Sequence, residues 1–158
     1  MRILGVDPGL NIAGFCLLDT KRLNITLKAY GVIKSNNKDS LPNRLKYLHE
    51  ETDTIIQKFK PDVLAIEDAF FSKNVKSAMT LGHARGTIIL TAAINHMPVH
   101  EYAPRKVKSS VCGNGAASKE QVSYMVSKIL KLDRELKPYD ISDAIAVGLC
   151  FINQEKHK

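Results

Sequence analysis

The chain has few of the features that mark secreted, zinc-binding or membrane proteins. Its three cysteines among 158 residues lie far apart without a CxxC pair, so the sequence predicts neither a zinc site nor a disulfide framework. No apolar run approaches the roughly 18–20 residues of a membrane span, and the first residues enter a strand-like stretch directly. We therefore expect no signal peptide, no membrane anchor and a location in the reducing cytoplasm.

Repeats, low-complexity segments and linkers rich in proline, glycine or serine are also missing from the sequence. Hydrophobic residues make up 44% and charged residues 25% of the chain, which is ordinary for a folded protein. We expect a single domain over residues 1–158, because this length suits one core. Acid is scarce relative to base: 23 Lys and Arg against 16 Asp and Glu leave a net charge of +7, so a polyanion is the first partner to consider.

Apolar patterning predicts three strands, followed by helices that alternate with two further strands. Period-two alternation, buried apolar runs and turn signals indicate the strands, and apolar residues at helical spacing indicate the helices. The order predicts an α/β fold with a mixed five-stranded sheet and helices on its faces. The predicted strands cover residues 2–7, 13–19, 23–34, 62–67 and 98–102, and the predicted helices cover 40–59 and 74–95, begin near 104 and 118, and cover 139–152.

Four acidic residues stand where predicted strands end or a predicted helix begins. Asp7 and Glu67 each close an apolar strand, and ligands of α/β sheets bind beyond the carboxyl ends of strands. Asp140 and Asp143 open the last helix three residues apart, hence on one face. If the two strands are parallel neighbours, four carboxylates converge and need a cation. Oxygen ligands suit Mg²⁺ or Mn²⁺, and two such ions about 3.5–4 Å apart hydrolyse phosphodiesters.

Each of these acids also has an ordinary structural explanation. Asp7 is a common residue at the start of a turn, and Glu67 can be solvated at the end of its strand. Asp140 and Asp143 suit the start of a helix, where they cap it and complement its dipole. The coincidence of all these placements in a basic chain favours a metal site.

Basic and aromatic residues stand where a nucleic acid would pass the acids. Lysines near a helix start, where backbone amides are free, suit a phosphate, although any single lysine is more often solvated surface. Phe70 and Phe71 fall in a turn after Glu67, where one aromatic can close the core and the other can stack on an unpaired base. The candidate DNA-binding residues are Phe70, Lys73, Lys76, Arg85, Arg105, Lys106, Lys108 and Lys119.

These motifs together resemble the RuvC family of bacterial Holliday-junction resolvases over essentially the whole chain. The resemblance implies a ribonuclease H-like fold and a homodimer with two active sites that nick a four-way DNA junction symmetrically. The segments that carry it are Ile3-Leu4-Gly5-Val6-Asp7-Pro8-Gly9, Ala65-Ile66-Glu67, Leu81-Gly82-His83-Ala84-Arg85-Gly86, Lys119-Glu120-Gln121-Val122 and Asp140-Ile141-Ser142-Asp143-Ala144.

The family pattern also implies roles for particular residues. Its chemistry is hydrolysis with two Mg²⁺ ions per active site, for which Mn²⁺ is a substitute, leaving a 5′-phosphate and a 3′-hydroxyl. Asp68 departs from the pattern as an additional carboxylate, which strand alternation turns away from the metal ions. The matching residues are Asp7, Glu67, Asp140 and Asp143 as catalytic metal ligands, Phe70 as the aromatic that contacts the junction, and Lys108 and Lys119 as basic residues near the scissile phosphate.

The same resemblance implies partners. The helix from Asn74 matches the element that packs across the homodimer, which would explain Gly82 and Gly86. A branch-migration helicase complex and an association with the nucleoid are expected from the family alone.

Three other functions remain open at the level of sequence. A related nuclease would cut RNA or an RNA–DNA hybrid, and a binding protein would hold junctions without cutting them. An ATP-binding fold of the actin or sugar-kinase type begins with a similar turn, but this chain is short for its two lobes. The basic cluster and Phe70 favour branched DNA, and the presence of all four acids favours cleavage.

Overall fold

A five-stranded mixed sheet organises the chain. The computed structural model describes residues 1–68 and 74–158. All ten predicted elements are present, and the largest difference is at the last helix, which continues to Lys156. In chain order the elements are β1 (Arg2–Asp7), β2 (Ala13–Lys21), β3 (Asn24–Ile33), α1 (Leu41–Phe59), β4 (Val63–Glu67), α2 (Val75–Ile94), β5 (Val99–Tyr102), α3 (Pro104–Cys112), α4 (Lys119–Ile129) and α5 (Tyr139–Lys156).

The order of the strands brings two of the candidate acids to one edge of the sheet. The strands lie in the order β3-β2-β1-β4-β5, with β1–β2 and β2–β3 antiparallel. β1 pairs in parallel with β4, with Val6 opposite Ile66, and β4 pairs in parallel with β5. Asp7 and Glu67, the next residues along, therefore end neighbouring parallel strands. The metal site predicted from the sequence required these two strands to be parallel neighbours, and the structure shows that they are.

Helices cover both faces of the sheet, as predicted. On one face, α1 and α2 bury residues such as Leu48 and Ile88 against β1 and β4. On the other face, α3, α4 and α5 bury residues such as Val126 and Ile145. Burial on both sides explains why β1 and β4 are nearly continuous apolar runs. Among the described helices, none has the length and apolar character needed to cross a bilayer.

The first half of α5 lies unusually close to the sheet. A Cβ atom added to Gly14 of β2 would stand 2.0 Å from the carbonyl oxygen of Asp140, and one added to Gly5 of β1 would stand 2.5 Å from that of Ala144. Both distances are far shorter than a van der Waals contact, so only glycine fits at these two positions. The backbone of α5 therefore lies directly on the backbones of β1 and β2, beside the end of β1.

A capping box fixes the start of α4. The Ser118 hydroxyl accepts a hydrogen bond from the backbone N–H of Gln121 at 3.1 Å, and the Gln121 side chain accepts one from the Ser118 N–H at 2.8 Å. Such caps typically stabilise a helix by about 1 kcal/mol. The sequence predicted this pair, and it places Lys119 in the first turn of the helix, facing the acids.

Candidate active site

Asp7 and Glu67 form a close carboxyl pair at the ends of β1 and β4. Burial raises the pKa of Asp7 well above its usual range, and the nearby charges of Glu67 and Asp143 raise it further. Burial also raises the pKa of Glu67, while a hydrogen bond from Asp7 opposes that rise. Two buried like charges this close repel each other, which disfavours the state in which both groups are ionised.

Asp140 and Asp143 bring the start of α5 to the same pair. Burial raises the pKa of Asp143, and the nearby ammonium group of Lys119, 4.0 Å from its carboxylate, opposes the rise. The charge of Asp140 acts on both Asp7 and Asp143. The structure thus brings together the four acids that the sequence singled out.

A cavity of about 190 Å³ opens beside these acids. Three of the four acids and two of the predicted basic residues line it, and Asp140 is not among the lining residues. Acidic and basic side chains therefore line the same cavity, an arrangement that suits a phosphate group and the cations that accompany it. The residues that line it are Asp7, Glu67, Pro104, Val107, Lys108, Lys119, Val122, Asp143 and Ala146.

The acids suit a divalent cation whose coordination shell is completed by water and by oxygens of the substrate. Within residues 1–68 and 74–158, no three His, Cys, Asp or Glu side chains are arranged so that they alone could hold a metal ion. Mg²⁺ is usually held by one or two carboxylates together with water and substrate phosphates, so a closed cage is not expected. The crowded carboxylates, whose pKa values are raised by burial and mutual repulsion, fit a cation that would neutralise them.

The other predicted basic residues lie in neighbouring grooves. Arg105 and Lys106 line a second hollow with Ser109 and Gln154, away from the side of α3 that carries Lys108. Lys76 lines a third groove between the start of α2 and the turn after β1. Their DNA contacts stay predictions, and the structure divides them among three surfaces instead of one patch.

The described contacts of Arg85 are to groups of the protein itself. Its guanidinium donates hydrogen bonds to the backbone carbonyl of Glu67, at 3.1 Å, and to the carboxylate of Glu101, and it lies 3.6 Å from the carboxylate of Asp68. Asp68 thus points toward α2, as strand alternation indicated. These contacts favour a structural role for Arg85 over the predicted contact with DNA.

Two predicted DNA-binding residues, Phe70 and Lys73, lie outside the described residues. Their roles stay predictions.

Sequence reasoning missed a network that holds the turn after Asp7. The Arg44 side chain on α1 donates to the Ser35 hydroxyl at 2.9 Å and to the Asn11 side-chain oxygen at 2.7 Å. The Ser35 hydroxyl in turn donates to the carbonyl of Leu10 at 2.6 Å. No local signal reveals this network, because an arginine on an amphipathic helix is usually solvated.

Solved structures place this fold in the ribonuclease H-like class of nucleases. The structure of Thermus thermophilus RuvC in complex with Holliday junction substrate matches with a TM-score of 0.93 and 29% identity, over 99% of this chain and 96% of that one. The yeast mitochondrial Holliday junction resolvase matches with a TM-score of 0.72 at 14% identity, which supports the fold alone.

Sequence comparison then defines the family. The model of the family named crossover junction endodeoxyribonuclease RuvC matches residues 3–151. The relative of that name from Finegoldia magna is 43% identical over 158 residues, covering 100% of this chain and 96% of the relative. The one from Natranaerobius thermophilus is 42% identical over 150 residues, covering 95% and 93%. The chain belongs to the RuvC family, and it is a nuclease that depends on a divalent metal ion.

Proposed function

We propose that this chain resolves four-way DNA junctions by paired, symmetric nicks, and that Asp7, Glu67, Asp140 and Asp143 hold two Mg²⁺ ions at each active site. The observation that carries the proposal is the convergence of Asp7, Glu67 and Asp143 with two lysines around one cavity, close enough to Asp140 for its charge to act on Asp7. A single ribonuclease H-like domain over residues 1–158 supplies these groups.

The residues around the cavity have separate roles in this proposal. When bound, two Mg²⁺ ions would supply a nucleophile at neutral pH and stabilise the leaving oxygen, giving a 5′-phosphate and a 3′-hydroxyl. Asp7 and Glu67 provide the negative charge that draws cations to the end of the sheet. Lys108 and Lys119 line the same cavity, where their ammonium groups suit the oxygens of the scissile phosphate.

Several observations favour a DNA junction over RNA as the substrate. The Thermus thermophilus relative, which matches at a TM-score of 0.93, was solved in complex with Holliday junction substrate. The net charge of +7 suits the phosphates of several DNA arms, and binding should weaken steeply as salt rises. A two-fold protein also matches the approximate two-fold symmetry of a junction, because each active site then meets one of two equivalent strands.

A substrate panel tests the proposed reaction. We expect paired nicks in a synthetic mobile four-way junction when Mg²⁺ is present, and no cutting of the matching linear duplex or of an RNA–DNA hybrid. Denaturing gels resolve the products, and a parallel series with Mn²⁺ shows which ion supports the reaction. Cutting of the hybrid in preference to the junction would overturn the substrate, and binding without nicks in either metal would indicate a binding protein.

An unpartnered apolar stripe on α2 supports the predicted homodimer. The side chains of Val75, Met79 and Leu90 are 74%, 60% and 59% exposed, which is high for residues of this kind. A Cβ atom added to Gly82 or Gly86 would meet nothing within 4 Å, so the helix surface is open between them. These residues share one face at helical spacing, and a second copy of α2 would approach it closely.

Leu90→Glu is expected to convert the protein to a monomer, because it places a charge on this face, where a second copy would bury it. Sedimentation equilibrium would show a mass near 17.5 kDa in place of twice that value. Leu23→Glu is the matched control, since Leu23 is 84% exposed in the turn between β2 and β3 and lies on another surface. A Leu90→Glu protein that keeps the wild-type dimer mass would show that α2 is not the interface.

The remaining family expectations stay predictions. A branch-migration helicase complex is the expected partner, and we propose that the protein works at the nucleoid in the cytoplasm, where chromosomal junctions form.

A further inference from the structure

Arg85 holds the end of β4 from the side opposite the active-site cavity. It lies on α2, in the helix layer across the sheet from α5. Its Nε atom donates a hydrogen bond to the backbone carbonyl of Glu67 at 3.1 Å. Its contact with Glu67 is therefore to the main chain, whereas the carboxylate of Glu67 lines the cavity.

Two acids hold the guanidinium of Arg85 in this position. Its Nη2 atom donates to the carboxylate of Glu101 on β5 and lies 3.6 Å from the carboxylate of Asp68. Only 18% of the Arg85 side chain is exposed, which is low for an arginine and limits its reach toward a DNA backbone. Arg85 thus joins α2, the end of β4 and β5 in one network.

The last peptide units of β4 are therefore held from two directions. The backbone N–H of Asp68 donates to the carbonyl of Tyr102 on β5 at 2.8 Å. The carbonyl of Glu67 accepts from Arg85. Loss of Arg85 would remove a hydrogen bond to that carbonyl and the cation that Asp68 and Glu101 share, so the end of β4 would be held less firmly.

We propose that Arg85 is a positioning residue that sets the place of the Glu67 carboxylate and thereby the affinity of the active site for its metal ions. The inference rests on the proposed function, in which Glu67 is a metal ligand. It goes beyond that function because Arg85 reaches the metal site only through the backbone of another residue.

The expected size of the effect follows from comparable metal sites. Residues that orient a metal ligand from outside the coordination sphere typically change metal affinity about 10–100-fold when they are removed. Arginine suits this position because its planar fork makes several directed hydrogen bonds at once, whereas lysine presents one ammonium group. We therefore expect Arg85→Met to weaken metal binding by about 10–100-fold, and Arg85→Lys to restore part of the loss.

The experiment compares Arg85→Met and Arg85→Lys with wild type in three measurements. Binding of Mn²⁺ in the absence of DNA, followed by electron paramagnetic resonance of the free ion, is expected to weaken. The Mg²⁺ concentration for half-maximal junction cleavage is expected to rise in parallel. Junction binding without divalent metal and the sedimentation mass are expected to match wild type, because the DNA-facing lysines and the α2 stripe are unchanged.

Arg2 offers a matched control at the other end of the sheet. Its guanidinium also binds one backbone carbonyl, that of Phe59 at 2.7 Å, and one carboxylate, that of Asp19 at 2.6 Å. Arg2→Met is expected to lower thermal stability and to leave Mn²⁺ affinity at the wild-type value. If Arg85→Met does not fold, Arg85→Lys and Glu101→Gln carry the same test.

Two results would overturn the proposal. Wild-type Mn²⁺ affinity in Arg85→Met would exclude a positioning role. Weaker junction binding, with a smaller salt dependence and unchanged Mn²⁺ affinity, would show that Arg85 contacts DNA phosphates instead. Asp7→Asn separates this failure from failure of the metal site itself, because undiminished Mn²⁺ binding in that variant would refute the proposed site whatever Arg85 does.

Discussion

Asp7→Asn is expected to abolish junction cleavage while leaving junction binding intact. The substitution keeps the size of the side chain but replaces a carboxyl group that lines the cavity, and would ligate the metal ions, with a neutral amide. A bound metal contributes several kcal/mol to the transition state, so loss of one of its ligands should slow cleavage by about a thousandfold or more. Single-turnover cleavage and a gel-shift assay without divalent metal measure the two properties separately.

Asp62→Asn is the matched control for this substitution. Asp62 precedes β4 at the end opposite Glu67, and its carboxylate accepts a hydrogen bond from the backbone N–H of Arg2 at 2.7 Å. The amide oxygen of Asn accepts the same bond, so Asp62→Asn should cleave at the wild-type rate. If Asp7→Asn also cuts at that rate, the assignment of the metal site is wrong.

Asp7→Asn is also expected to stabilise the metal-free protein. Burial and like charges raise the pKa of Asp7 in the folded state, so the folded chain binds more protons than the unfolded chain above pH 4. The contribution of Asp7 to stability is therefore greatest at low pH and is lost as pH rises. Thermal melts in EDTA should show the wild-type melting temperature falling from pH 5 to pH 8, and a smaller fall in Asp7→Asn. Mg²⁺ should restore stability to wild type only.

Gly14→Ala is expected to impair both stability and cleavage, because the new methyl group would overlap the first turn of α5. A Cβ atom there would stand 2.0 Å from the Asp140 carbonyl, and backbone on both sides leaves no flexible side chain to yield. Overpacking of this kind typically costs about 1–3 kcal/mol, or several degrees in melting temperature. The shift of α5 would also displace Asp140 and Asp143, and a displacement of about 1 Å commonly lowers activity about a hundredfold.

A remote core substitution separates the two effects of Gly14→Ala. Ile56 lies on α1, in the layer across the sheet from α5, and Ile56→Ala should cost about 2–5 kcal/mol. At a temperature where both variants are folded, Ile56→Ala should cleave at nearly the wild-type rate and Gly14→Ala should not. Equal loss of cleavage in the two variants would mean that stability alone explains the result.

The fold and the acid cluster were predictable because their signals are local. The strands β1 and β4 are buried on both faces, so they read as apolar runs, and a single acid at the end of each is conspicuous. The spacing of Asp140 and Asp143 on a helix needs only the helical period. These patterns predicted the acid cluster and the RuvC family, and the structure adds the geometry of the cluster.

The roles of the arginines were not predictable, because they depend on contacts between distant parts of the chain. Arg85 was predicted to contact DNA because it follows other basic residues along the same helix, and that contact stays a prediction. Its burial depends on Asp68 and Glu101, which belong to different elements. The contact of α5 with Gly14 likewise joins residues that are far apart in the sequence, and nothing in the sequence around Gly14 indicates which helix will cover it.

The contact between α5 and the sheet has a consequence for how far such a chain can diverge. At Gly5 and Gly14 the nearest helix atoms are main-chain atoms of α5, so backbone contact largely sets the spacing between Asp7 and the two acids of that helix. The Cys16 side chain also reaches the Ala144 carbonyl, at 3.5 Å. Apolar residues elsewhere can be exchanged with little effect on the separation of these acids. This tolerance is consistent with a TM-score of 0.93 at 29% identity. An arrangement of acids that is positioned mainly by backbone contacts can therefore persist while the surrounding core residues are substituted.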